Sequence, residues 1–204
     1  MTLSRLTPAL GLFVGLGMMA TVALAQQTKT VETGLTSVQL SSTFTSALES
    51  LSVTPGTVAP TRIVGGTAYF PVTGGAIDLT SAAGNIVHSG GLTLEAGGTQ
   101  VRLQSFIIDT TSVLTSTPAL VLTGLVVVNN TLVGRLPLFN LVLPSGFKLP
   151  LQAEGGFVLQ LNGVGLTLTS TAAGALNGVY HLSGNSAIPA GLAIGTASVF
   201  AFVN

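Results

Sequence analysis

The chain has 204 residues, with six Lys and Arg balanced by six Asp and Glu, two His, no Cys and no Trp, and only 6% of it is charged, where about 25% is usual. There is no basic stripe for nucleic acid and no polybasic run for an anionic membrane surface, so neither partner class is expected. Without Cys, stability must come from packing, which suits a bacterial exported protein, and 26 Gly with 47% hydrophobic residues point to a turn-dense β domain.

The N-terminus reads as a targeting segment. Met1–Arg5 is short and positive, Leu10–Leu24 is apolar and uncharged, and Ala23-Leu24-Ala25 is a small-x-small cleavage signal before Gln26. The apolar run is short for a membrane span, and no Cys follows for acylation. This predicts a signal peptide over 1–25, cleaved near Ala25, and a mature protein that is secreted or associated with the cell envelope. About 179 residues would remain, with five basic and six acidic side chains. Residues 26–34 read as a flexible polar leader and 35–204 as a single β-rich domain.

Leu35–Leu40 is a short strand. Ser41–Leu51 is a helix, capped by Ser41 or Ser42, with Phe44, Ala47, Leu48 and Leu51 on one face. Thr57–Val64 reads as a strand with Pro60 at an edge or bend. Gly65-Gly66 turns into a strand over Thr67–Val72, Gly74-Gly75 is a bulge or turn, Ala76–Leu79 is extended and Ser81–Asn85 is a loop.

The next stretch, Gly84–Asp109, is a hairpin that carries its own register. Gly97-Gly98 is a two-residue turn signal, because glycine takes positive φ at both positions without a Cβ clash. Folding about it sets Ala96 against Thr99, Glu95 against Gln100, Leu94 against Val101, Thr93 against Arg102 and Leu92 against Leu103. Apolar meets apolar and polar meets polar; a one-residue slip would set Leu against Arg. Extended further, the pairing puts Ile86, His88, Gly90, Leu92 and Leu94 on one face with Val101, Leu103, Ser105 and Ile107. His88 then falls on the core side, opposite Ile107.

Ser112–Thr117 is a connection. Ala119–Val128 and Thr131–Phe139 flank the turn pair Asn129-Asn130, which sets Val127 against Leu132 and Val126 against Val133. The run is almost continuously apolar, so both faces of the strand should be covered. Pro137 and Pro144 mark edges. Leu149–Gln152, Phe157–Leu161, Val164–Thr169 and Ala193–Val203 complete the strands. Val38–Leu51 also resembles Leu166–Val179: Leu40 matches Leu168, Ser42 matches Ser170, Thr43 matches Thr171, and the pair Ala47-Leu48 matches Ala175-Leu176. Each is a strand running through a Ser/Thr cap into a short helix, which predicts two equivalent units placed over one end or edge of the sheet.

Signals for chemistry are sparse. His88 and His181 have no H-x-x-H, H-x-H or D-x-D companion, so no metal site is expected, and a lone His on a core face reads as a hydrogen-bonded structural residue. A Ser–His–Asp hydrolase would need Ser89 with His88 or His181 and Asp78 or Asp109. There is no G-x-S-x-G elbow, and Ser89 alternates to the face opposite His88. No P-loop or dinucleotide fingerprint is present, and no catalytic residue is assigned. Low charge would suit an outer-membrane barrel, but the lack of Trp, the two Tyr and the near-continuous apolar strands oppose it.

The segments GNIVHSGGLTLEAGGTQVRLQSFIIDTTS, AYFPVTGGAIDL, GRLPLFNL and LTLTSTAAGALN, with GTASV near the end, resemble a family of exported bacterial β-rich proteins. The middle of the match is similar to the HtaA-type domain of secreted and surface haem-uptake proteins. That resemblance implies export, a β-rich fold, and haem held by a Tyr supported by a His. Neither Tyr69 nor Tyr180 is matched to that Tyr from the sequence, and His88 is not matched securely to that His.

The expected architecture is mainly β: an antiparallel β-sandwich or flattened barrel with two short helices from a repeated strand–helix unit. The leading function is non-catalytic binding or a cell-envelope structural role, without cofactor, with envelope contact or self-association as its partner mode. The alternative is an extracytoplasmic domain for a small ligand or haem, with His88 and Tyr69 as binding residues. An outer-membrane barrel and a hydrolase rank below both.

Overall fold

The computed structural model describes residues 28–111 and 120–204. The expected signal peptide and the connection Ser112–Thr117 lie outside the described residues. In chain order the elements are β1 (Thr28–Leu40), α1 (Ser42–Ser50), β2 (Thr54–Val58), β3 (Arg62–Val64), β4 (Thr67–Asp78), β5 (Gly84–His88), β6 (Gly91–Ala96), β7 (Thr99–Asp109), β8 (Val121–Val128), β9 (Thr131–Val142), β10 (Ala153–Glu154), β11 (Val158–Leu168), α2 (Ser170–Val179) and β12 (Ala193–Val203).

The strands β7, β5, β4, β1, β12, β11, β9 and β8 pair in that order, and β8 pairs back to β7. All of these ladders are antiparallel, so eight strands close a barrel. The remaining strands lie off this ring. β6 pairs with the first half of β7 while β5 pairs with the second half, β2 adds to β6, β3 pairs with the start of β4, and β10 pairs with β11. No ladder joins β2 to β3. Of the sandwich and the flattened barrel, the barrel is the form adopted.

Alternation writes the walls. β4 buries Ala68, Phe70 and Val72 and turns Tyr69 and Pro71 the other way, as a strand with one core face must. The β6–β7 ladder has the register read from the sequence, from Ala96↔Thr99 to Leu92↔Leu103. Beyond it the ladder slips. Three residues, His88–Gly90, span the gap opposite Ser105 and Phe106, so Val87, not His88, faces Ile107, and His88 pairs with Val72 of β4. Gly90 (φ 80°) and Ser105 (φ 53°) absorb the irregularity. Phe106 replaces Ser105 and Ile107 as the inward side chain.

Other expectations shift in the same way. Residues 26–34 were expected as a flexible leader, yet β1 begins at Thr28 and pairs with both β4 and β12, because Val31 buries while its polar neighbours face outward. Thr57–Val64 is two strands broken around Pro60, not one. Leu149–Gln152 is not a strand; it crosses a barrel end, where Leu151 N donates to Leu79 O at 2.6 Å. Phe157–Leu161 and Val164–Thr169 fuse into β11, which keeps a register shift between Leu161 and Val164 beside Gly163 (φ 76°). Val127 faces Leu132 as expected, but Val126 faces Gly134, again through a bulge.

Both helices close one end of the barrel. Ser41 caps α1 by accepting from Phe44 N at 3.0 Å, and Thr169 caps α2 by accepting from Ala172 N at 3.0 Å. Leu40 and Leu166 both pair with Gly195, so the strands leading to the two helices lie on either side of β12 at that end. The larger core cluster fills the space under the helices and includes Leu48, Ala172 and Ala173. A smaller cluster, with Val31, Ile77, Leu79, Leu151 and Leu159, fills the opposite end.

Candidate functional site

The barrel is not filled by its own side chains. A cavity of about 310 Å³ runs inside it, lined by inward residues of β1, β4–β9, β11 and β12 and by both helices. An eight-stranded barrel is just wide enough either to be packed solid or to hold one small ligand. Here Gly124 on β8 contributes to the interior shape: a Cβ there would come within 2.7 Å of Leu138 and 2.9 Å of Phe106. Phe106 in turn stands edge-on to Phe70, with centroids 5.3 Å apart.

The lining is almost wholly apolar. Among the described residues it contains no Lys, Arg, Asp or Glu, and its polar side chains are Thr36, Ser81, Asn85, His88, Thr110 and Tyr180. Ser81, Asn85, Leu143 and Leu149 are the described lining residues that are exposed; Asn85 stands at the start of β5 and the other three in loops, all at the end opposite the helices. Leu143 is 37% exposed and Leu149 49%. The cavity therefore has a sealed end under α1 and α2 and a mouth beneath the loops.

His88 sits inside, 3% exposed, at the end of β5. Its Nε2 is 2.7 Å from Oγ1 of the buried Thr36 on β1. β4 runs between β1 and β5, pairing Phe70 with Thr36 and Val72 with His88, so the imidazole reaches across the inner face of β4. Burial lowers the His88 pKa from 6.5 to about 4, against the opposing effect of the nearby Phe106 and Ile86 backbone, so the ring is neutral at physiological pH. Neither backbone group completes a hydrogen bond with Nδ1, which is buried without a partner among the described residues.

Tyr180 closes the helical end. Its hydroxyl donates to Leu94 O at 2.9 Å, and burial raises its pKa to about 12, opposed by the Val101 backbone and aided to a smaller extent by the charge of Glu95. Tyr69 does not line the cavity. It alternates to the outer face of β4, where it pairs with Ser37 and Arg62. His88 and Tyr69 are thus on opposite faces of the wall and are not brought together. His181 is exposed at the turn after α2 and also lies outside the cavity. Among the described residues, no group of three or more His, Cys, Asp or Glu converges as a metal site would require. Thr36 was not singled out from the sequence. The signal was present: the alternation Leu40, Val38, Thr36 places a polar residue on a core face.

No family model matches the sequence, and no curated protein matches it. Solved structures do. The C-terminal domain of HtaA from Corynebacterium glutamicum superposes with a TM-score of 0.61 at 14% identity, over 86% of this chain and 99% of that one. The heme binding protein HtaB from the same organism gives 0.54 at 12% identity, over 88% and 96%. A domain-swapped dimer of the H434A variant of the HtaA domain gives 0.52 at 13% identity, over 79% and 90%. The chain has the HtaA-type fold.

Proposed function

We propose that this protein is an exported, non-catalytic carrier that holds a small apolar molecule inside its barrel. The cavity is the observation that carries this reading. At about 310 Å³ it is roughly twice an engineered apolar cavity of about 150 Å³ that binds benzene, and it reaches the range of natural ligand pockets, about 300–1,000 Å³. Left empty, such a volume would cost on the order of several kcal/mol at ~24 cal/mol per Å³. That is a large share of a typical stability of about 5–15 kcal/mol, so a ligand is the economical explanation for it.

The test is titration with the neutral dye N-phenyl-1-naphthylamine. Saturable fluorescence enhancement is expected, weakened by Leu176→Trp, which adds bulk to the cavity lining. No enhancement in the unsubstituted protein overturns the carrier reading.

Haem is the second reading, favoured by the likeness to HtaB. The interior does not fit it. Among the described residues no cationic side chain lines the cavity to meet propionates, the Tyr180 hydroxyl is engaged by Leu94 O, Tyr69 faces outward, and His88, with Nε2 engaged by Thr36, offers only Nδ1 and no Tyr beside it. A Soret shift on adding haemin would reinstate haem at another site.

Export rests on the positive Met1–Arg5, the apolar Leu10–Leu24 and the Ala23-Leu24-Ala25 signal. Mass spectrometry should find Gln26 as the first residue of the secreted or envelope-bound protein. Self-association is supported by the outer wall, where Phe200 and Phe202 are exposed and stack edge-to-face at 5.4 Å. We also read β1–α1 and β11–α2 as equivalent units, since each runs through a Ser or Thr cap into its helix beside β12.

A further inference from the structure

We infer that the cavity selects a neutral apolar alcohol, whose hydroxyl is held by Nδ1 of His88. The inference rests on the carrier reading and concerns what the carrier prefers. Its basis is a mismatch in an otherwise apolar interior: His88 lines the cavity, is 3% exposed, and has one ring nitrogen bound to Thr36 and the other with no partner among the described residues. A buried polar atom without a hydrogen bond carries a desolvation cost, and a ligand that supplies the bond removes it.

The chemistry of the pair narrows the class. If the Thr36 hydroxyl donates to Nε2, the neutral ring carries its proton on Nδ1 and needs an acceptor. If Nε2–H donates to Thr36, Nδ1 needs a donor. A hydroxyl satisfies both tautomers, whereas a carbonyl or ether satisfies one. A carboxylate or an ammonium is excluded on other grounds. Among the described residues the lining has no charged side chain to pair with either, and an isolated ion in an apolar interior is strongly disfavoured. The ring gives no countercharge, since burial keeps it neutral down to about pH 4. An alkane fits the walls but leaves Nδ1 unpaired. The apolar body of the alcohol would lie along the barrel, within reach of the mouth at Leu143 and Leu149.

The experiment is displacement of bound N-phenyl-1-naphthylamine from the full mature chain by 1-decanol, decanoate and decane. Decanol should displace the dye with an affinity about fivefold or more above that of decane, the share of one buried hydrogen bond, and decanoate should be weaker still. His88→Phe should abolish the preference for decanol over decane, and His88→Gln should restore part of it. In the unsubstituted protein, the ring ¹⁵N resonances of His88 should move on adding decanol and stay in place with decane; this readout needs no variant to fold. Equal displacement by decanol and decane, or an unmoved ring on saturation with decanol, overturns the anchor while leaving the carrier standing. Failure of the dye itself to bind overturns the carrier, and the anchor with it.

Discussion

The two ends of the barrel are closed by different physical means. At one end, two capped helices lay their apolar faces over the core, with Leu48, Ala172 and Ala173 buried, and the lining residues they supply are buried or half-buried, none exposed. At the other end the described residues form no helix; the loop after β4 and the segment between β9 and β10 lie there, tied by the bond from Leu151 N to Leu79 O. Leu143 and Leu149 belong to that second closure, and they touch the cavity and solvent at once. Helical packing makes a seal, whereas loops crossing a strand end leave apolar side chains serving as both lid and lining. Stability should therefore reside at the helical end and access at the loop end.

The strongest way to break this contrast is at Leu48, the one buried residue of α1. Leu48→Ala should cost about 2–5 kcal/mol, read as a lower urea midpoint at unchanged slope. A cost below about 1 kcal/mol would show that the helical end is not the seal.

Between the two ends, His88 gives a test by pH. Its folded pKa of about 4 lies below the ordinary 6.5, so the unfolded chain binds the proton first as pH falls. Stability from this group is present in full above about pH 6.5 and is lost on acidification toward pH 4, by about 3 kcal/mol. His88→Phe should flatten that part of the profile. A ring titrating near 6.5 by NMR would mean that water from the mouth reaches it.

A smaller effect belongs to the cap of α2. Thr169→Ala should cost about 1 kcal/mol, since Ala172 N loses its acceptor; equilibrium unfolding measures it. The smallest effect on stability belongs to the mouth. Leu149→Ala should change stability by less than about 0.5 kcal/mol, yet speed dye binding in stopped flow. A large loss of stability with unchanged dye kinetics would reverse the assignment of the two ends.

Much of this architecture was legible in the chain, and the illegible part has physical causes. The β6–β7 register and the helix caps could be read because each rests on local chemistry, either polarity alternation or a Ser/Thr hydroxyl before an apolar face. The slip at His88–Gly90 could not, because a bulge changes the count of residues without changing their polarity, and Gly90 had already been used as one position in an even alternation. The reach of β1 back to Thr28 was hidden because its outward residues are polar and Val31 is its only buried residue before Thr36. The burial of His88 was foreseen, but its partner was not: Thr36 comes 52 residues earlier and meets it only when β4 is laid between them. The cavity itself left no trace, since an apolar side chain facing a void looks the same in sequence as one facing another side chain.

The missing ladder between β2 and β3 has a consequence for girth. Below the helices the wall is completed by β6 and β2 on one side and β3 on the other, joined covalently around Thr61, whose buried Oγ1, beside Gly90, has no partner among the described residues. A fully laddered barrel has its circumference set by strand number and stagger. This one carries a seam along part of its length, where no ladder joins the two strands and a single turn bond, Thr61 N donating to Val58 O at 3.1 Å, holds the joint. Around β7, which is paired on both edges, strand ladders set the girth; along this one line under the helices it is set instead by side-chain packing and by the covalent turn.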